Sequence, residues 1–126
     1  MTDWSVGSDA EQLKHYAMFS STKAKSAGSW MCNRWGLFDM HGNVFEWCQD
    51  WYGAYGAAEA ENPQGADKGP NRVNRGGSWS NSANYCQSRF RFRIPPSIRV
   101  HYYGFRVAQV PLPRRKQGSK AASGSR

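Results

Sequence analysis

The sequence predicts one folded body built around aromatic rings and turns rather than around aliphatic helices. Three observations predict it. Leu, Ile and Val number only 11 in 126 residues, and with a net charge of +8 such a composition would ordinarily indicate disorder. Trp, Tyr and Phe number 18, however, and disordered chains are poor in rings. Each buried ring removes about 150–250 Å² from water, so a few rings replace many aliphatics. Finally, a chain of 14.2 kDa buries roughly two-thirds of its unfolded surface, enough for one modest core.

No run approaches the ~18 apolar residues of a membrane span, and the N-terminus lacks the apolar stretch of a signal peptide. The chain therefore reads as soluble, without an export signal and with no membrane partner, and the cytoplasm is the default compartment. Cys32, Cys48 and Cys86 cannot all pair, and three cysteines are too few for a disulfide scaffold, as in a reducing cytosol. The charge is divided along the chain. All nine acids lie at or before Asp67 with four Lys/Arg among them, whereas the remainder carries 13 Lys/Arg and no acid. Such asymmetry invites a nucleic-acid reading, but five of those 13 cations lie in the last 16 residues, which argues against nucleic acid for the folded part.

Residues 1–35 carry little apolar periodicity beyond Leu13, Tyr16 and Ala17, and the Ser/Thr/Lys/Gly cluster over 20–29 reads as a loop. Residues 36–52, GLFDMHGNVFEWCQDWY, form the densest apolar-aromatic block, interrupted at His41-Gly42-Asn43. Residues 53–70 read as a long loop. Residues 71–110 open on RVNRGGSW and close on GFRVAQV, the close reading as a short strand. The last stretch, 111–126, has no ring and no acid and reads as a disordered basic tail.

Several residues could carry chemistry. Asp39 and Glu46 flank a Gly-Asn turn where carboxylates and carbonyls could converge on a hard cation such as calcium; alternatively Asp39 caps the turn and Glu46 faces solvent. His15, His41 and His101 are scattered without metal-ligand spacing, and each reads as an exposed turn histidine, although His41 beside Gly42 could approach a site. Cys48, among rings, reads as a small buried hydrophobe. Cys86, followed by Arg89 and Arg91, could have a lowered pKa, or be an inert lone thiol. The Arg-aromatic alternation from Arg89 to Tyr103 could stack on bases. As a half-buried strand it would instead put Phe90, Phe92 and Ile94 on one face and Arg89, Arg91 and Arg93 on the other. Arginines also tie loop-rich folds together internally.

The elements G-L-F-D-M-x-G-N-V-x-E-W, D-W-Y, R-V-x-R-G-G-S-W, R-x-x-x-x-P and G-F-R, in this order over residues 35–109, resemble the formylglycine-generating enzyme, or sulfatase-modifying factor, family. The resemblance implies an α+β fold low in regular secondary structure, a variant of the C-type lectin fold, over residues 1–110. It also implies either a minimal domain or one that is N-terminally incomplete, because family domains carry helices and a strand region upstream. By position, the family's calcium ligands fall on Asp39, Gly42, Val44 and Glu46, the middle two through backbone carbonyls. The chain departs at Phe45, where the family usually has Trp.

Family oxidases convert a substrate cysteine of sulfatases to formylglycine, using a copper-binding pair spaced C-x-x-x-x-C after G-G-S. Two thiolates suit Cu(I). Counted from Gly76, the first position here is Asn81 and only the second is a cysteine, Cys86. A neutral amide does not replace a thiolate, which argues against copper. Iron enzymes of the family hold their iron in a separate upstream domain. Three readings follow. The first is a calcium-stabilised binding or accessory module with protein or peptide ligands. The second is a formylglycine-type oxidoreductase completed by upstream sequence or by a partner. The third is a ligand-display protein whose variable surface lies between Gly76 and Arg106. The candidate ligand surface comprises Trp79, Asn81, Arg91 and His101, with Cys86 as the single catalytic candidate.

Overall fold

Asp9 starts the first element by accepting the Glu11 N–H on its side chain, 2.9 Å away, and one turn of helix follows, α1 (Ala10–Leu13). The computed structural model describes residues 2–56, 61 and 63–109; the expected tail at 111–126 lies outside them. The weak Leu13, Tyr16, Ala17 pattern packs inward: Leu13 and Ala17 are buried and Tyr16 is half-buried. They meet Trp4 and Cys86 in one small core, edged by Val6, Phe19 and Ala83. The Trp4 indole N–H donates to the Ala83 carbonyl, 3.2 Å away, which satisfies its one polar atom.

The second layer is a sheet of four strands: β1 (Phe45–Trp51), β2 (Arg72–Arg75), β3 (Phe92–Ile94) and β4 (Tyr103–Gly104), in the order β3-β2-β1-β4. β2 pairs antiparallel with both β1 and β3, whereas β4 runs parallel to β1. Register sets Trp47 opposite Asn74 and Asn74 opposite Phe92, so these three share a face. On that face Phe45 stacks on Phe92 with centroids 5.4 Å apart, and Tyr103 leans on Phe45 and Trp47 at 5.7 and 5.6 Å. The rings expected to replace aliphatics thus do so as a stack on one sheet face, mostly half-buried, with Phe45 fully enclosed; Val73, also enclosed, points to the other face. Between Trp47 and Trp51 the register with β2 slips, as at a bulge.

Two sequence expectations need correction here. GFRVAQV is not a strand beyond its glycine: only Tyr103–Gly104 pairs, and among the described residues 105–109 are irregular. Phe105 and Val107 are exposed, and the Arg106 side chain turns to Glu46. The Arg-aromatic alternation is a strand only over Phe92–Ile94, and Arg91 is half-buried rather than solvated. The 53–70 segment is irregular where described, apart from a bridge between Trp51 and Ala66. No helix of the described residues is long and apolar enough to cross a membrane.

Candidate functional site

The 39–46 turn is organised by backbone. Gly42 and Asn43 both have positive φ, 72° and 61°, and the glycine permits an approach closed to other residues. The Gly42 N–H donates to the Gly76 carbonyl at 2.6 Å, and the Asn43 N–H to the Met18 carbonyl at 2.8 Å. Three distant segments therefore meet at one turn. Asp39, at φ 53°, receives the Gly28 N–H on Oδ2 at 2.6 Å, while its Oδ1 is buried with no hydrogen-bond partner. Glu46 projects from β1 into the same cleft of about 430 Å³, which Val44, Phe105 and Arg106 also line.

Arg106 is the residue that the sequence did not single out. Its Nε and Nη2 fork both oxygens of Glu46, at 2.9 and 2.7 Å, and Nη2 also reaches the carbonyls of Phe38 and Asp39 at 2.9 and 3.3 Å. A planar guanidinium matches a carboxylate in this way, and the Glu46 bonds raise the Arg106 pKa further. So Glu46 is neither solvent-facing nor free. Among the described residues no group of three or more His, Cys, Asp or Glu gathers, so a cation here would rely on two carboxylates and on carbonyls. The residues fit a hard cation: Asp39 offers a buried, unpartnered oxygen, and Val44 lines the cleft between the two acids. Any such cation would compete with Arg106 for Glu46.

His41 is not an exposed turn histidine; it is 5 % exposed. Its Nε2 accepts the Ser5 N–H at 3.0 Å, so Nδ1 must carry the proton, donated to the Cys86 carbonyl at 2.8 Å. Ser5 Oγ also lies 2.8 Å from Nε2. Burial lowers the His41 pKa below the usual 6.5, partly offset by the bond to Cys86. The fold thus holds the neutral ring, and the unfolded chain binds the proton more readily. Stability from this source is full above pH 6.5 and is lost as pH falls below it. The unfolding midpoint should therefore drop between pH 7 and 5.5 in the native chain. In His41→Gln, less stable at neutral pH, that part of the drop should vanish, which pH-resolved thermal melts would read.

Cys86 ends a 3-10 turn, Ala83–Cys86, with no exposed surface. Of the two readings of this thiol, acidified by Arg89 and Arg91 or inert, the packing favours the second: burial pushes it up to about 12, against a smaller lowering by a backbone bond from Gly42. The cause is where the arginines go. Arg89 turns outward to Asp3, 3.7 Å away, and to Gln87, while Arg91 turns onto tyrosine rings. Asn81, at the other cysteine position, accepts the Ser78 hydroxyl on Oδ1 at 2.6 Å. Cys48 is half-buried, and burial raises its thiol as well.

Of the candidate ligand surface, Trp79 and His101 lie together, rings 5.6 Å apart, with Tyr102 edge-on to His101. The Trp79 N–H is held by the Asn43 carbonyl and its own carbonyl accepts from Ser21, so this ring is seated on the 39–46 turn. Arg91 belongs to a different group. Its guanidinium lies 3.6 Å over the Tyr55 ring and donates to the Gly53 carbonyl at 3.0 Å.

A short mixed sheet framed by loops, a Gly-Asn turn between two carboxylates, and arginines tying the loops define a sulfatase-modifying factor type of domain. The family model of the sulfatase-modifying factor enzyme 1-like domain matches residues 4–111, and the chain belongs to that family. Residues of this chain are 41% identical over 100 positions to the serine/threonine-protein kinase pkn1 of Chlamydia pneumoniae, covering 76% of this chain and 16% of the kinase. They are 36% identical over 91 positions to the formylglycine-generating enzyme of Thermomonospora curvata, covering 64% of this chain and 29% of that enzyme. Among solved structures, Treponema denticola variable protein 1 superposes with a TM-score of 0.78 at 35% identity, covering 83% of this chain and 40% of that one. The chain thus spans well under half the length of the proteins it matches.

Proposed function

We propose that the chain is a binding or accessory module of its family, without the copper-dependent oxidation of cysteine, and reinforced by calcium at its 39–46 turn. One observation carries the first half. The single thiol in the copper position, Cys86, is sealed in the core and held protonated, and its partner position is an amide engaged with Ser78. A thiolate pair suited to Cu(I) would require two ionised sulfurs side by side. The match to a small part of a much larger kinase also favours an accessory module. Its ligand would be a protein or peptide meeting the Trp79–His101 face, and three free thiols suit a cytoplasmic setting.

Calcium would be held by the carboxylates of Asp39 and Glu46 with carbonyls of Gly42 and Val44, cross-linking the turn to β1. Incubation of the copper-loaded chain with oxygen and a peptide carrying C-x-P-x-R should leave the peptide cysteine unconverted by mass spectrometry. Conversion to formylglycine would reinstate the oxidoreductase reading, with the second sulfur supplied from elsewhere. On the same protein, calcium at 100 times its Kd should stabilise against unfolding by about 2.7 kcal/mol relative to chelator. Asp39→Asn should lose that gain, and an unmoved midpoint in the native chain would remove calcium from the account. The likeness to a protein named as variable supports a second reading, ligand display between Gly76 and Arg106, with His101 on that surface and the Trp79 ring beside it.

A further inference from the structure

Three arginines gather on two tyrosines at the edge of the sheet. Arg91 lies over Tyr55 at 3.6 Å and over Tyr52 at 5.0 Å, and Arg93 lies over Tyr52 at 5.2 Å. Arg75 joins them by donating from Nη2 to the Tyr55 hydroxyl at 3.1 Å. Backbone carbonyls fix the group: Arg75 Nη1 donates to Ser88 at 3.0 Å and Arg91 Nη2 to Gly53. The ion pairs among the described residues are Lys14–Glu11, Arg89–Asp3 and Arg106–Glu46, so no described carboxylate pairs with any of these three. The fold holds three like charges together, against their mutual repulsion, and leaves them without a described counter-charge.

We infer that the Arg75–Arg91–Arg93 cluster is a docking surface for an acidic segment of another protein. This rests on the binding-module reading and goes beyond it, adding a second face apart from Trp79–His101 and the chemistry of its partner. Arg91, its guanidinium carbon 3.6 Å from the Tyr55 centroid, keeps N–H donors beyond the one given to Gly53, and a guanidinium takes a carboxylate in bidentate fashion. Its rotamer is already fixed by the ring and the carbonyl, so less freedom is lost on binding. Single-stranded nucleic acid is the poorer fit. Such strands bind over successive bare rings, and here guanidiniums already cover Tyr52 and one face of Tyr55.

The test uses the full chain and a labelled Glu-rich peptide of about 12 residues, with a single-stranded oligonucleotide and a Lys-rich peptide as the other probes. The Glu-rich peptide should bind more tightly than either, and binding should weaken with salt. Arg91→Gln/Arg93→Gln should cost roughly tenfold in affinity, whereas Arg114→Gln/Arg115→Gln/Lys116→Gln in the basic C-terminal stretch should cost roughly twofold or less. Should the double variant fail to give a native melt, Arg93→Gln alone serves, since the Arg93 side chain is exposed and lies over the Tyr52 ring; roughly threefold loss is then expected. Tighter binding of the oligonucleotide overturns the proposal in favour of nucleic acid. Equal affinity in the cluster variants, or loss only in the C-terminal variant, overturns it outright. Those outcomes leave the binding-module reading standing, since that reading falls only to peptide-cysteine conversion.

Discussion

Gly42→Ala should destabilise the chain by about 2–5 kcal/mol, from the left-handed backbone cost of about 1–2 and overpacking of about 1–3. At φ 72° a side chain is strained whatever the space, and here there is no space: a Cβ would collide with the Met18 carbonyl and sit 3.0 Å from the Met18 nitrogen. Both neighbours are backbone, pinned by the Asn43 bond to Met18 and the Gly42 bond to Gly76, so neither can yield cheaply. For a chain of this size the loss is a large part of total stability. Gly36→Ala is the matched control. It has φ 75° and open space around its Cβ, so it should pay only the backbone cost. Denaturant unfolding of the two variants reads the difference directly. If the two lose stability equally, the meeting of three segments at Gly42 is not what holds the turn.

That turn shows what a sequence can and cannot tell. Gly42-Asn43 announces a turn through residues that tolerate positive φ, and Asp39 and Glu46 beside it announce a charged site, because all of this is local. What escaped is long-range. Arg106 finds Glu46 across 60 positions, and no spacing rule connects them. His41 reads as a solvent-exposed turn residue because it sits beside Gly42 in a turn, yet the groups that hold it, Ser5 and Cys86, lie 36 positions before it and 45 after it. Cys86 shows the converse. Arg89 and Arg91 are close in sequence but leave in other directions, so proximity along the chain suggested an acidified thiol where packing makes a protonated one. In a fold with so few regular elements, loops decide neighbours, and loop paths are the part of a structure least visible in composition or period.

Asn74→Leu should raise stability, by about 1–3 kcal/mol, the cost of burying an amide whose hydrogen bonds go unmade. Asn74 has no exposed surface, and both its Oδ1 and Nδ2 lack partners. It sits mid-strand in β2, between Trp47 on one side and Phe92 on the other, where the face is otherwise aromatic. Leucine restores apolar contact with both rings, and Asn74→Val, which is smaller, covers the case where leucine overpacks. For a domain of this size each kcal/mol moves the midpoint by roughly 4–8 °C, so thermal melts resolve the gain easily. Lower stability in both variants would mean the amide is bonded to a buried water that apolar side chains expel. The amide also bears on function. Asn74 lies next to Arg75 in the chain, and proteins retain unsatisfied polar groups chiefly where a site needs them. A variant that is more stable and binds the acidic peptide as before would make Asn74 a tolerated cost of the fold. A variant that is more stable but binds worse would place the amide in support of the arginine cluster beside it.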